Sequence, residues 1–216
     1  TISINELNNF SSSPENFIGI HFFSPVDRME LVEIIKTKKT SAETLSCVFD
    51  FIRKINKTPI IVNDSPGFYT TRVFEKYTCE GLALLYEGYP AHLIESTSKN
   101  VGFPIGPLAV LDEINIELAL KIRKEIGSNL YSQKSENHLE PWDEVLNFMV
   151  NKVKRGGRSS GSGFYEYPKN ERKYLWPDLH NHFVIQFNKP DQQLLIDRLL
   201  FVQALETVRC YEEGVI

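Results

Sequence analysis

No run in this 216-residue chain approaches the ~20 consecutive apolar residues a bilayer-crossing helix requires, so no membrane span is expected. A basic surplus is missing too. The 24 Lys+Arg are outnumbered by 28 Asp+Glu, a net charge of −4, which argues against nucleic acid as a partner. Cysteine is sparse and odd in number. Cys47, Cys79 and Cys210 lie far apart in helical contexts with apolar neighbours, and read as reduced core thiols rather than a disulfide framework or a metal site. The opening Thr1-Ile2-Ser3-Ile4 has no initiator Met, basic stretch or apolar core of a signal peptide, and reads as a cut end. Disorder is excluded by what is present: 42% hydrophobic and 24% charged residues are ordinary for a globular chain.

The chain has two textures. In the first 63 residues, Phe17–Phe23, Leu31–Ile35 and Pro59–Val62 have the composition and length of strands, and one helix is expected from Ser41 to Lys54. Ser41 is its candidate N-cap and Glu43 a first-turn carboxylate. Thereafter the pattern is helical: Phe68 to Glu87 with Gly88 as the stop, His92 to Lys99, one or two helices within Ala109 to Ile126, Trp142 to Lys154, and Pro190 to Glu213. Phe103–Pro107 reads as a rigid turn, Gly127 to Glu140 as a polar loop, and Arg155–Gly163 (RGGRSSGSG) as flexible by composition.

An internal repeat runs through the helical part. At an offset of 126, Arg72, Glu80, Glu87 and Gly88 fall on Arg198, Glu206, Glu213 and Gly214, with apolar residues at 73/199, 74/200 and 82/208. Two surface helices sharing a pattern by chance, and a duplicated helical domain whose second copy has just begun, both fit this match.

His21 and Glu33 are the residues that carry chemistry. If the first two strands pair as a hairpin about Asp27, these two lie opposite each other within side-chain reach. A carboxylate that fixes the tautomer of a histidine is the usual general acid/base arrangement. Spacing by itself favours a plain hydrogen-bonded strand pair at a sheet end. The remaining histidines, His92, His138, His180 and His182, are scattered. His180-x-His182 lacks a third ligand at sensible spacing, so no metal site is expected. Asp112 and Glu113 read as a local cap, Arg155 and Arg158 as part of a solvated loop, and Tyr165, Tyr167, Tyr174 and Trp176 as packing.

His21-Phe22-Phe23-Ser24-Pro25, Leu31-Val32-Glu33-Ile34-Ile35 and Asp64-Ser65-Pro66-Gly67-Phe68 with Arg72 together resemble the 3-hydroxyacyl-CoA dehydrogenase family. Phe103-Pro104-Ile105-Gly106-Pro107 and Gly161-Ser162-Gly163-Phe164-Tyr165 are similar to segments of its helical domain. Leu175-Trp176-Pro177 and Glu206–Gly214 resemble the multifunctional β-oxidation proteins, which carry two copies of that domain. The resemblance implies an α/β then all-α chain. It divides into the closing part of a Rossmann-type NAD-binding domain (1–63), a helical dehydrogenase C-terminal domain (64–167), and a linker with the first helix of a second helical copy (168–216).

By the same resemblance, His21 is the catalytic base and Glu33 its partner. Ser24 matches a cofactor-binding position near the nicotinamide. Thr71 matches a substrate-binding position where the family usually carries Asn. The implied activity is NAD-dependent oxidation of 3-hydroxyacyl-CoA to 3-oxoacyl-CoA in fatty-acid β-oxidation, with an acyl-CoA substrate. The implied setting is intracellular, with bacterial cytoplasm, mitochondrion and peroxisome undistinguished, as a homo-oligomer or a subunit of a β-oxidation complex. No Gly-x-Gly-x-x-Gly occurs, and that turn holds the pyrophosphate at a helix N-terminus. Weak or absent turnover by the chain alone is therefore expected. A non-catalytic assembly or dimerisation module of such a complex is the alternative reading.

Overall fold

A computed structural model describes residues 2–130, 140–184, 186 and 190–216, with backbone alone for 124–130. His138 and most of the expected Gly127–Glu140 loop lie outside the described residues. The chain divides into two compact units, Thr1–Phe74 with Ala204–Ile216, and Glu75–Gln203.

The first unit is built on a three-stranded sheet in the order β1 (Gly19–Phe22), β2 (Leu31–Lys36), β3 (Thr58–Asn63). β1 and β2 are antiparallel; β2 and β3 are parallel and joined by helix α2 (Ala42–Lys54). A parallel pair needs such a crossover, and the helix covers one face of the sheet. There Val32, Ile34 and Ile52 form a core with Ile18, Leu45, Val48 and Phe49. Ser41 caps α2, its hydroxyl accepting from the Thr44 amide at 3.1 Å. On the opposite face Ile35, Val62 and Phe68 pack with Ile4, Ile60 and Tyr69. Ile4 belongs to a helix the sequence reading omitted, α1 (Ile4–Asn8), capped by Ser3.

The second unit is helical. It holds most of α3 (Thr70–Tyr86), then α4 (Ala91–Asn100), α5 (Pro107–Ile114), α6 (Ile116–Leu130) and α7 (Pro141–Asn147), which continues as a π-helical turn, Phe148–Lys152. The expected Ala109–Ile126 region is thus two helices, and the second runs to Leu130, into the segment read as loop. A small hairpin follows, β4 (Tyr165–Glu166) with β5 (Tyr174–Leu175), then the short α8 (Leu179–His182) and the long α9 (Gln192–Glu212).

Three expectations are corrected here. The glycine-rich stretch 155–163 is firmly held. Arg155 donates to the Gly163 carbonyl at 2.7 Å and to Glu166 Oε1 at 2.7 Å, with its guanidinium 4.4 Å over the Trp176 ring. Asp112 is not a local cap. It is buried and accepts from the amides of Phe164 (2.8 Å) and Tyr165 (2.9 Å) and from the Tyr167 hydroxyl (2.9 Å). Burial pushes its carboxyl above the ordinary range, against those hydrogen bonds. Tyr165 also donates to the buried Glu95 at 2.6 Å, so two buried carboxylates hold one segment. Arg158 pairs with Glu113 at the surface. Cys79 and Cys210 are buried as expected, but Cys47 is exposed.

The repeat has a structural counterpart. In the first unit Arg72 pairs with Glu206 (2.6 Å) and Glu213 (2.5 Å). In the second, Arg198 pairs with Glu80 and Glu87. Both helices close alike: Gly88 and Gly214 have positive φ, and the amides of Tyr89 and Val215 reach back to the carbonyls of Leu84 (3.0 Å) and Cys210 (2.8 Å). Every residue in one set is the other's partner at the offset of 126.

Candidate active site

The β1–β2 register places His21 directly opposite Glu33, as the turn about Asp27 requires. Odd-numbered residues of β2 face α1 and the start of α3, so Glu33 projects into that layer and not into the α2 core. Its side chain is 0% exposed. A buried carboxylate must have its lone pairs satisfied. Oε2 stands 2.7 Å from His21 Nδ1, and Oε1 accepts from the backbone amides of Tyr69 (3.1 Å) and Thr70 (2.8 Å). Consecutive positive φ values at Gly67 and Phe68 make the sharp reversal that delivers these first amides of α3. The helix N-terminus favours the negative charge.

The carboxylate calls for a proton on Nδ1, which leaves Nε2 as the lone-pair nitrogen. The His21 ring packs between Phe23 and Phe68, with centroids at 4.6 and 5.7 Å. It is one-third exposed and lines a cavity of about 320 Å³ with Ile2, Ile4, Leu7, Ile20, Ile35, Phe68 and Thr71. An apolar pocket with one oriented base and one hydroxyl suits proton abstraction from a substrate that is mostly apolar near the reacting atom.

The structure thus gathers His21, Glu33 and Thr71 about one pocket. Ser24 is exposed in the turn after β1 and does not line it. The backbone contribution of Tyr69 and Thr70 was not foreseen, because amides carry no sequence signal. Asp64 opens the Asp64–Phe68 motif. Its Oδ2 accepts from Ser3 Oγ (2.7 Å), the Asn5 amide (2.8 Å) and Asn5 Nδ2 (2.8 Å). Burial raises its carboxyl, and these hydrogen bonds outweigh it, so the group sits below the usual carboxylate range. The α1 cap was readable, since Ser3-x-x-Glu6 is a capping-box pattern.

Residues 1–65 match the model of the "3-hydroxyacyl-CoA dehydrogenase, NAD binding domain", and residues 67–167 that of the "3-hydroxyacyl-CoA dehydrogenase, C-terminal domain". The chain belongs to the 3-hydroxyacyl-CoA dehydrogenase family. That family is one of NAD-dependent oxidoreductases. The fatty acid oxidation complex subunit alpha of Shewanella putrefaciens is 35% identical over 224 residues, covering 100% of this chain and 30% of its own length. The chain therefore spans about a third of the curated relatives it matches. Among solved structures, the dehydrogenase part of multifunctional enzyme 1 from C. elegans superposes with a TM-score of 0.73 at 29% identity, over 100% of this chain and 49% of that one. (S)-3-hydroxybutyryl-CoA dehydrogenase from Ralstonia eutropha gives 0.68 at 32% identity, over 78% and 58%. These relatives agree with a closing Rossmann-type part followed by a helical family domain.

The family's cofactor is NAD. The residues present fit only part of it. The strand–turn–helix that cradles pyrophosphate has no Gly-x-Gly-x-x-Gly to form from among these 216 residues. Among the described residues no group of three His, Cys, Asp or Glu is placed to hold a metal ion, and no helix is long and apolar enough to cross a membrane.

Proposed function

We propose that this chain carries the acid/base centre of an NAD-dependent 3-hydroxyacyl-CoA dehydrogenase, which oxidises 3-hydroxyacyl-CoA to 3-oxoacyl-CoA in fatty-acid β-oxidation. The observation that carries this reading is the buried Glu33 carboxylate, held by two amides and set 2.7 Å from Nδ1 of a pocket-lining histidine. His21 takes the proton of the 3-hydroxyl on Nε2, and Glu33 stabilises the imidazolium that results. Thr71 offers its hydroxyl to the substrate oxygen, with less reach than an amide side chain. Ser24 is assigned to the cofactor side. Bound NAD would supply the hydride acceptor for C3.

The organisation that supports this reading is a partial NAD-binding domain (1–63), a helical C-terminal domain (64–167), and a linker with the first helix of a second helical copy (168–216). The matched ion pairs at the offset of 126 favour duplication over chance. Membership of a β-oxidation complex and an intracellular setting follow by analogy with the fatty acid oxidation complex relatives. The reading as an assembly module draws on the apolar residues Leu205, Val208 and Tyr211, exposed along α9.

The test is NADH oxidation with acetoacetyl-CoA by the chain and its His21→Gln variant. A wild-type rate that falls by at least ~100-fold in the variant supports the catalytic assignment. Equal rates in the two remove it. Absence of turnover in both, persisting after a Gly-rich nucleotide-binding segment is joined upstream, favours the assembly module.

A further inference from the structure

The pocket that His21 lines has a wall made by α1, a helix of five residues. So short a helix does not persist without tertiary support. Ile2, Ile4 and Leu7 from this segment line the pocket, so whatever fixes α1 fixes the shape of the site. Besides the exposed bonds from the Lys38 amide to Asn5 Oδ1 (3.3 Å) and from Lys39 Nζ to Asn9 Oδ1 (3.2 Å), three attachments hold it. At its C-terminal end Asn8 donates to Thr37 Oγ1 at 2.7 Å and to the Pro14 carbonyl at 3.2 Å. At its first residue Ile4 rests directly on β1 at Gly19, where a Cβ would stand 2.9 Å from Ile4 Cγ1. At its N-terminal end, which carries Ile2 and Ile4, a single oxygen of Asp64 collects the Ser3 hydroxyl, the Asn5 amide and the Asn5 side chain. Hydrogen bonds to an ionised acceptor are about twice as strong as neutral ones, so this attachment is the strongest of the three.

Asp64 also opens the segment that turns from β3 into α3, and the first amides of α3 hold Glu33. One stretch of chain, Asp64 to Thr70, therefore sets both the apolar wall and the acid/base pair. We infer that Asp64 is a positioning residue for this site: by anchoring α1 it fixes the wall against which substrate is held before His21 acts. The inference rests on the acid/base reading above. It predicts a selective effect, because Asp64 has no contact with His21 or Glu33 among its hydrogen bonds. Substrate binding should weaken while the proton-transfer step stays intact.

The experiment compares Asp64→Ala and Asp64→Asn with the wild type by three measurements. The first is the kinetics of acetoacetyl-CoA reduction by NADH. In Asp64→Ala, KM rises about fivefold or more with kcat within about twofold, the pattern of lost uniform binding. Asp64→Asn keeps one acceptor oxygen and recovers part of that loss. The second is amide hydrogen exchange, in which residues 4–8 of Asp64→Ala exchange roughly tenfold faster while residues 31–36 of β2 keep their protection. The third needs no turnover: the rate of His21 carbethoxylation by diethyl pyrocarbonate rises at least about threefold once the wall is loosened, through exposure alone.

A fall in kcat with KM unchanged, unaltered exchange at 4–8, or an unaltered carbethoxylation rate each overturns the inference. If β2 also loses protection in Asp64→Ala, the same criteria are applied to Asp64→Asn. A wild type without turnover even after a Gly-rich nucleotide-binding segment is joined upstream counts against the acid/base reading, and the second and third measurements then decide the role of Asp64 on their own.

Discussion

Glu33 is bound twice over: one carboxylate oxygen meets His21 across the hairpin, and the other receives the first two usable amides of α3. The residue that orients the base is therefore also the group that satisfies a helix start. Catalysis and folding share it. Glu33→Ala should lose both at once. It leaves two part-buried amides without their acceptor, at up to roughly 1–3 kcal/mol each. For a domain of this size, each 1 kcal/mol lowers Tm by roughly 2–4 °C. His21→Gln should leave Tm nearly unchanged. Calorimetry of the two variants beside the wild type checks the contrast, and equal Tm values for all three would refute it.

The two arginines of the repeat should not cost the same. Arg72→Ala leaves Glu206, which is 2% exposed, with only Arg209 at 3.4 Å, whereas Arg198→Ala strands the part-exposed Glu80 and Glu87. Removing one partner of an ion pair costs more the more deeply the other is buried, from about 0–1 kcal/mol at the surface towards about 3–5 in the interior. Urea unfolding should rank Arg72→Ala clearly below Arg198→Ala. The reverse order would show that Glu206 is solvated.

Gly163 and Gly161 are two residues apart and should respond differently. A Cβ at Gly163 runs into the Asp112 carboxylate, while at Gly161 it meets open space and only the positive φ objects. Gly163→Ala should cost several-fold more stability than the roughly 1 kcal/mol expected for Gly161→Ala, where the strain is conformational. Denaturant midpoints of the two variants measure it.

The hairpin and its pair of residues were legible because a strand alternates sides and a turn has a centre: once Asp27 was taken as the middle, His21 had to face Glu33. The repeat was legible as charge at fixed spacing. The rigidity of Arg155–Gly163 was not. Composition registers seven small residues and two arginines there, but not the buried carboxylate of Asp112, some 50 residues earlier, that collects the amides of Phe164 and Tyr165. Cys47 was misjudged for a related reason. Its apolar neighbours along α2 point to the sheet, and the cysteine itself lies on the side that does not.

Thiol reactivity gives a quick check of that correction. With a thiol-specific chromogenic reagent at neutral pH, only Cys47 should react in the folded protein. Cys79 is buried, and burial pushes its thiol up to about 12; Cys210 is buried with its thiol also raised. One equivalent before denaturation and three after it is the expected count. Two or three before it would refute the burial of the helical cysteines.

Acid should loosen the first unit by a defined route. The Asp64 carboxyl titrates below its ordinary value of 3.8, so its stabilising effect is complete above that pH. That effect is lost as pH falls through the lowered folded value. Following the Asp64 carboxyl carbon by NMR should show a midpoint below 3.8, with the amides of α1 losing protection in the same range. A midpoint at or above 3.8 would mean that the Ser3 and Asn5 contacts are not maintained.

The clamp on Arg72 has a consequence for anyone who shortens this chain. Ala204–Ile216 folds with the first seventy-odd residues, and there Asn63 donates its amide to the Val215 carbonyl (2.8 Å) and its side chain to that of Gly214 (2.7 Å). A cut after residue 167, where the match to the family's C-terminal domain stops, looks harmless on paper. It would take away both acidic partners of Arg72 and leave the far edge of β3 without its neighbour. The tail of the sequence is, in three dimensions, a fastening for its head.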